Sequence, residues 1–308
     1  MGKTAFIFPG QGAQYTGMGK DFYDNYQDSR EIYEKASRVL DMDMAELCFE
    51  ENDRLNITEF TQIAMVTTCM AILTQVVKAG IKPDICAGLS LGEYPALMAS
   101  GVLDFEEGIR VVRRRGILMQ NAVEPGAGAM AAVLGLDNSS IETICQHAPG
   151  IVTVANYNCP GQSVISGEKQ AVEAAGEKLI KSGAKRVIML NVSGPFHSPM
   201  LKEAGDMLYQ VLEGVELNNP VVPYTANVNA ELIQSKEEIR ELLAKQVYSS
   251  VKWQQSVENM IAAGVDTFIE IGPGKTLSAF IKKIDKSCKV LNIEKIEDLV
   301  KLQEVTEC

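Results

Sequence analysis

Over roughly the first 122 residues the apolar positions follow two alternating rhythms. Thr4-Ala5-Phe6-Ile7-Phe8 and Pro83-Asp84-Ile85-Cys86-Ala87 are short runs that predict buried strands. From Thr58 to Ala79 a long amphipathic stretch, expected to bury one side, keeps helical spacing and stops at Gly80, and from Asp104 to Val123 a second follows an aspartate suited to cap it. A shorter helix is predicted from Leu91 to Ala99, ended at Gly101, with Pro95 as its weak point. Strands alternating with long helices imply an α/β architecture around a parallel sheet.

At Glu124-Pro125-Gly126-Ala127-Gly128 the rhythm changes. The pattern then predicts strand 129–134, helix 138–147, strand 151–155, a turn at Cys159-Pro160-Gly161, strand 162–166, helix 168–182 and strand 185–190. That order, βαββαβ, is the ferredoxin-like split unit. After Ser193-Gly194-Pro195 the first rhythm returns, including Thr267-Phe268-Ile269-Glu270-Ile271 before Gly272-Pro273-Gly274. A small domain at 126–195 inserted into a large α/β domain, 1–125 and 196–308, is the expected organisation.

Composition narrows the classes. With 308 residues and 46% hydrophobic content the chain can bury a large core. Seven scattered cysteines, odd in number and without metal-ligand spacing, suit reduced thiols in a cytoplasmic setting. A net charge of −11 argues against a nucleic-acid binder. No run reads as the ~20 apolar residues of a membrane span, and the N-terminus enters a strand rather than a signal peptide, so no membrane association is expected. Lys275, Lys282, Lys283, Lys286 and Lys289 form a local basic cluster, which a solvated helix face would also explain.

Candidate chemistry begins at Gly88-Leu89-Ser90-Leu91-Gly92. Gly-x-Ser-x-Gly between a strand and a helix is the form of a nucleophile elbow, as in α/β-hydrolase-like folds, though it also suits a plain tight turn. On such an elbow the Leu91 N–H at the helix start is available to an oxyanion. Only two histidines could serve Ser90 as a base. His147 closes a predicted helix and reads as a surface residue, whereas His197 stands at the second domain junction, as a base or a structural hinge. On the helix from Asp104, Arg115 falls among Val111, Val112, Leu118, Met119 and Ala122 while Arg110, Arg113 and Arg114 point elsewhere. A guanidinium on an apolar stripe needs an anionic partner, either an internal carboxylate or that of a substrate. Phe8-Pro9-Gly10-Gln11-Gly12 leaves a strand without the Gly-Lys-Ser/Thr of a phosphate loop, and its Gln11 N–H could face the same oxyanion as Leu91.

Taken in order, these pieces resemble the malonyl-CoA:acyl carrier protein transacylase family. Phe8-Pro9-Gly10-Gln11-Gly12, Gly88-Leu89-Ser90-Leu91-Gly92-Glu93, Arg115-Gly116 with Met119-Gln120, Asn156 and Asn158 before Pro160-Gly161-Gln162, Phe196-His197, Gln246 and Gly272-Pro273-Gly274-Lys275 carry the likeness along nearly the whole chain. The resemblance implies Ser90 as nucleophile, His197 as base oriented by a neutral carbonyl of Gln246, Gln11 and Leu91 as oxyanion-hole amides, and Arg115 as clamp for a malonyl carboxylate. It places Asn156 and Asn158 in the substrate site, Phe196 as a narrowing of the pocket against an α-methyl, and Lys275, Lys282 and Lys283 as a docking patch for an acidic carrier protein. Leu89 departs from the histidine common before the serine. The implied reaction carries malonyl from malonyl-CoA through a Ser90 ester to the phosphopantetheine thiol of acyl carrier protein, in fatty-acid synthesis, with no cofactor or metal and with the enzyme a monomer. A polyketide-loading transferase and a serine hydrolase are the competing expectations, with a non-catalytic scaffold behind them.

Overall fold

The computed structural model describes residues 2–192 and 194–306; Ser193, at the second junction, lies outside them. Among the described residues ten strands form two sheets: β1 (Lys3–Phe8), β2 (Ile85–Gly88), β3 (Gly128–Leu134), β4 (Val152–Cys159), β5 (Gln162–Glu168), β6 (Arg186–Met189), β7 (Tyr224–Thr225), β8 (Leu232–Ile233), β9 (Val265–Ile271) and β10 (Lys289–Ile293). The larger sheet runs β10-β9-β1-β2-β7-β8, parallel except for β8, which pairs antiparallel with β7. Alternation along β1 sets its two faces, with Phe6 and Phe8 in one core and Ala5 and Ile7 in the other. Helices cover both sides, as a parallel sheet requires.

Helix Thr58–Lys78 differs from the one-sided helix expected. Fifteen of its 21 residues are buried, because it lies between the large sheet and helices Gln27–Leu40 and Phe105–Gln120. Its mean hydropathy of 1.6 over its most apolar window also makes it long and apolar enough for a membrane span, contrary to the reading from sequence. Most of that window is buried inside the protein, so it is a core helix. A buried polar side chain on such a helix needs a partner, which makes Gln62 informative below.

The smaller sheet holds β4-β5-β3-β6, all antiparallel, with helices Asn138–Gln146 and Lys169–Lys181 and a core of its own. Element order and type match the expectation; the extents differ. β4 reaches Cys159, not 155, because register shifts after Val154 and Tyr157 let it continue past the two asparagines. Val251 also grips it, donating its N–H to Ala155 O (2.8 Å) and accepting from Tyr157 N (2.9 Å). Strand β4 is therefore fastened to the later part of the large layer, and its asparagines face the cleft between the sheets.

Candidate active site

The chain leaves β2 at Gly88, passes Leu89 in extended conformation, and turns at Ser90 with φ +52° into a short 3-10 turn, Ser90–Gly92, and helix Glu93–Ala99. Close approach dictates the flanking glycines. A Cβ on Gly88 would lie 1.9 Å from Gly92 O, and one on Gly92 would lie 2.1 Å from Phe8 O. Pro95, third in its helix, falls within the first turn, where an N–H has no intrahelical partner, so it interrupts nothing. Asn227, in the turn after β7, splints the elbow: its Oδ1 accepts from Ser90 N–H (2.6 Å) and its Nδ2 donates to Gly88 O (2.7 Å). Serine in a left-handed conformation costs about 1–3 kcal/mol, and these bonds offset it. They also occupy the serine's own N–H, leaving the next amide, Leu91, as the elbow's oxyanion candidate.

Opposite stands His197, also left-handed at φ +59° and held by its N–H on Val247 O (3.1 Å). Its Nε2 lies 2.7 Å from Ser90 Oγ and its Nδ1 2.7 Å from the main-chain oxygen of Gln246. A carbonyl only accepts, so Nδ1 carries the proton and Nε2 is free to take one from serine. Burial, and secondarily the Arg115 charge, lower its pKa to about 4. The imidazole is thus neutral at pH 7. Here the main chain of Gln246 orients the ring, and its side chain is engaged elsewhere.

Arg115 is fully buried, as the apolar stripe demanded, and Asp104 does cap its helix by accepting from Glu106 N–H (2.8 Å). The neighbouring arginines point away: Arg113 pairs with Glu59 at 2.9 Å and Arg110 with exposed Glu107 at 3.3 Å. Arg115 Nη1 donates to Gln62 Oε1 (2.8 Å), and Nη2 donates to Gln246 Oε1 (2.9 Å) and Ser90 Oγ (3.2 Å). Its plane lies 5.4 Å from the Tyr94 ring, and its Nε has no hydrogen-bond partner. Among the described residues no carboxylate forms an ion pair with it; Glu93, the nearest buried acid on this network, is reached only through the Gln246 amide. Neutral amides hold a buried cation whose pKa is lowered by desolvation. Of the two partners considered from sequence, the internal carboxylate is absent, and an incoming carboxylate would meet a pre-positioned guanidinium beside the nucleophile.

Ser90, Leu91, Gln11, Arg115, Asn156, Asn158, Phe196 and His197 all line one cleft of about 510 Å³ between the two sheets. Gln11 follows β1 as Ser90 follows β2, so both stand outside the carboxyl ends of adjacent parallel strands. Asn158 keeps a buried Oδ1 without a partner. The lysines divide. Helix Thr276–Ile284 turns Thr276 and Phe280 into the cleft, and Lys283, on that face, donates to Gln162 Oε1 (2.9 Å) at its rim. Lys275 is exposed at the helix start, whereas Lys282 bends back onto Cys288 O (2.6 Å). A larger groove, about 650 Å³ between Tyr23, Arg38 and Asp43, gathers no nucleophile–base pair.

Three contributors escaped the sequence reading: Gln62, Asn227 and the inward use of Glu93. Glu93 sits inside the serine motif, and a glutamate in the first turn of a wholly apolar helix was the available signal. Gln62 and Asn227 carried none, since each acts across tens of residues.

A serine on a glycine-flanked elbow against a neutral histidine, at the edge of a parallel sheet, defines the class of serine-dependent acyl-transfer proteins. Within it the chain belongs to the acyl transferase domain family, which it matches over residues 5–304, as its motifs suggested. It is 42% identical over 303 residues to the malonyl CoA-acyl carrier protein transacylase of Bacillus subtilis, covering 97% of this chain and 96% of that protein. The crystal structure of the transacylase of that name from Clostridium perfringens is 48% identical, with a TM-score of 0.96 over 99% of this chain and 98% of the other. A malonyl-transacylase solved in complex with its type II polyketide acyl-carrier protein is 40% identical, with a TM-score of 0.96 over 98% and 99%.

Proposed function

We propose that this protein moves malonyl groups from malonyl-CoA to the phosphopantetheine thiol of acyl carrier protein, in fatty-acid synthesis. The observation that carries this reading is a buried guanidinium that no carboxylate among the described residues pairs with directly, 3.2 Å from the candidate nucleophile. Ser90 Oγ attacks the thioester carbon as its proton passes to His197 Nε2, and the tetrahedral oxyanion faces the Gln11 and Leu91 amides. Collapse breaks the C–S bond, and the coenzyme A thiolate leaves with the proton from His197. The carrier thiol then gives its proton to His197 and attacks the ester, and Ser90 takes the proton back. An acyl group and a proton move, and no electron carrier is called on. Arg115 binds the malonyl carboxylate, Asn156 and Asn158 the pantetheine side of the cleft, and Phe196 bounds the acyl pocket.

Lys275 and Lys283 flank the cleft mouth and are the docking patch for an acidic carrier; Lys282, folded back on its own helix end, belongs to it less. The chain works as a monomer in the cytoplasm, away from membranes. Its architecture is read as a hydrolase-like layer, 1–125 and 196–308, with a ferredoxin-like insert at 126–195, a reading supported by the order β4-β5-β3-β6. One relative's partnership with a polyketide carrier keeps that carrier class as a second reading.

The test is intact-protein mass after brief exposure to malonyl-CoA, then to a fatty-acid or a polyketide carrier protein in its phosphopantetheinyl form. A malonyl adduct absent in Ser90→Ala and discharged onto the fatty-acid carrier is expected. Free malonate without carrier acylation would make the protein a hydrolase, and preference for the polyketide carrier would move it to that pathway.

A further inference from the structure

Glu93 is buried, and while its main-chain N–H donates to Ser90 O, its carboxylate bonds to neither the Ser90 nor the His197 side chain. Its Oε2 accepts from Gln246 Nε2 (2.6 Å) and from Asn227 N–H (3.2 Å), while Oε1 is buried without a partner. Gln246 Nε2 also donates to Ser90 O (2.9 Å), and its Oε1 accepts from Arg115 Nη2 (2.9 Å). These contacts fix the amide's direction. Reversed, it would set its NH2 against a guanidinium that only donates, and its oxygen against two acceptors. Glu93 and the Ser90 carbonyl together define which end of Gln246 meets Arg115, and Arg115 Nη2 in turn meets the nucleophile.

We propose that Glu93 is a positioning residue that, by accepting a hydrogen bond, locks the Gln246 amide and through it aims Arg115 at the acyl carboxylate. This rests on the function proposed above and deepens it, adding a determinant of acyl selectivity that touches no substrate. The lock works by acceptance rather than by charge. Arg115, Tyr94 and Tyr224 are the titratable groups around this carboxyl, and burial raises its pKa to about 7. A proton taken up at neutral pH goes to the unpartnered Oε1, and Oε2 continues to accept.

The experiment compares initial rates of Ser90 loading from malonyl-CoA and acetyl-CoA, by quenched intact mass, in wild type, Glu93→Gln and Glu93→Met. Glu93→Met, of similar length without an acceptor, is expected to lower the malonyl-to-acetyl ratio about tenfold, equivalent to one hydrogen bond of about 1.4 kcal/mol. Glu93→Gln, which keeps the accepting oxygen, is expected to hold the wild-type ratio within threefold. Should Glu93→Met fail to fold, Gln246→Leu removes the locked amide itself and must show the same loss while Glu93→Gln shows none. An unchanged ratio in folded Glu93→Met, or an equal loss in Glu93→Gln, overturns the proposal. A wild type that forms no malonyl adduct takes the proposed function down as well, a result distinct from a wild type that loads and a variant that discriminates as before.

Discussion

Arg115→Ala separates substrate recognition from catalysis. In the structure the guanidinium donates to Gln62, Gln246 and Ser90 and has an unused Nε, so a malonyl carboxylate gains charge-assisted bonds while an acetyl group leaves the cation on its amide partners. Two such bonds at roughly 1.5–3 kcal/mol each give about 3–6 kcal/mol, or roughly a hundredfold to ten-thousandfold in malonyl loading. Acetyl loading gains no such bonds and should change by less than about tenfold, so the malonyl-to-acetyl ratio should collapse by at least about one decade. The charge has a second effect. Arg115 helps hold His197 at about 4, and the base works as the neutral imidazole, so activity is lost as pH falls through that pKa. Burial, the larger cause, stays, so removing the cation raises the histidine only part of the way toward its ordinary 6.5 and moves the acid limb of the acetyl pH–rate profile upward. The assay is single-turnover loading of Ser90 from each thioester between pH 4 and 8, followed by mass. An unchanged ratio, or an acid limb that stays in place, would refute the electrostatic account.

Other perturbations probe the scaffold. Asn227→Ala, which frees Ser90 N–H and Gly88 O, should lower kcat about 10–100-fold with KM for malonyl-CoA little changed, as steady-state kinetics would show; a parallel rise in KM would count against an elbow splint. Gly92→Ala, whose Cβ meets a main-chain oxygen, should lose about 3 kcal/mol or more in urea unfolding, and Gly214→Ala, with φ −83° and nothing nearer its Cβ than 3.7 Å, distinctly less. Reversing Lys275 and Lys283 to glutamate should raise KM for the carrier protein several-fold at low salt, an effect screened away near ~1 M. Carrier kinetics indifferent to both reversals would remove the docking patch.

The features legible in sequence were those encoded by neighbours. The elbow follows from two glycines four apart, the helix of Arg115 from an aspartate cap and apolar spacing, and the small sheet from a change of rhythm at Glu124. Helix Thr58–Lys78 misled because its alternation of apolar with Thr and Gln looks one-sided, while the fold packs around it on nearly every side. β4 was ended at 155, four residues before the turn at Cys159-Pro160-Gly161, and only Val251, far along the chain, shows why Asn156 and Asn158 remain in the strand. Gln246 was identified as the residue that orients His197, yet its main chain and its side chain do two different jobs, which no spacing could separate.

The positions that meet at the cleft are remote along the chain: His197 lies 107 residues from Ser90, and Gln246 lies 156. A refolding chain can therefore regain its helices early and still be inert. Recovery of acyl loading, followed beside far-ultraviolet dichroism, would time when the part of the chain that carries His197 and Gln246 joins the part that carries Ser90 and Arg115. For the same reason, two separately expressed pieces divided at the surface turn near Gly126 would each lack half of the chemistry, and mixing them would turn enzymatic turnover into a direct count of reassembled molecules.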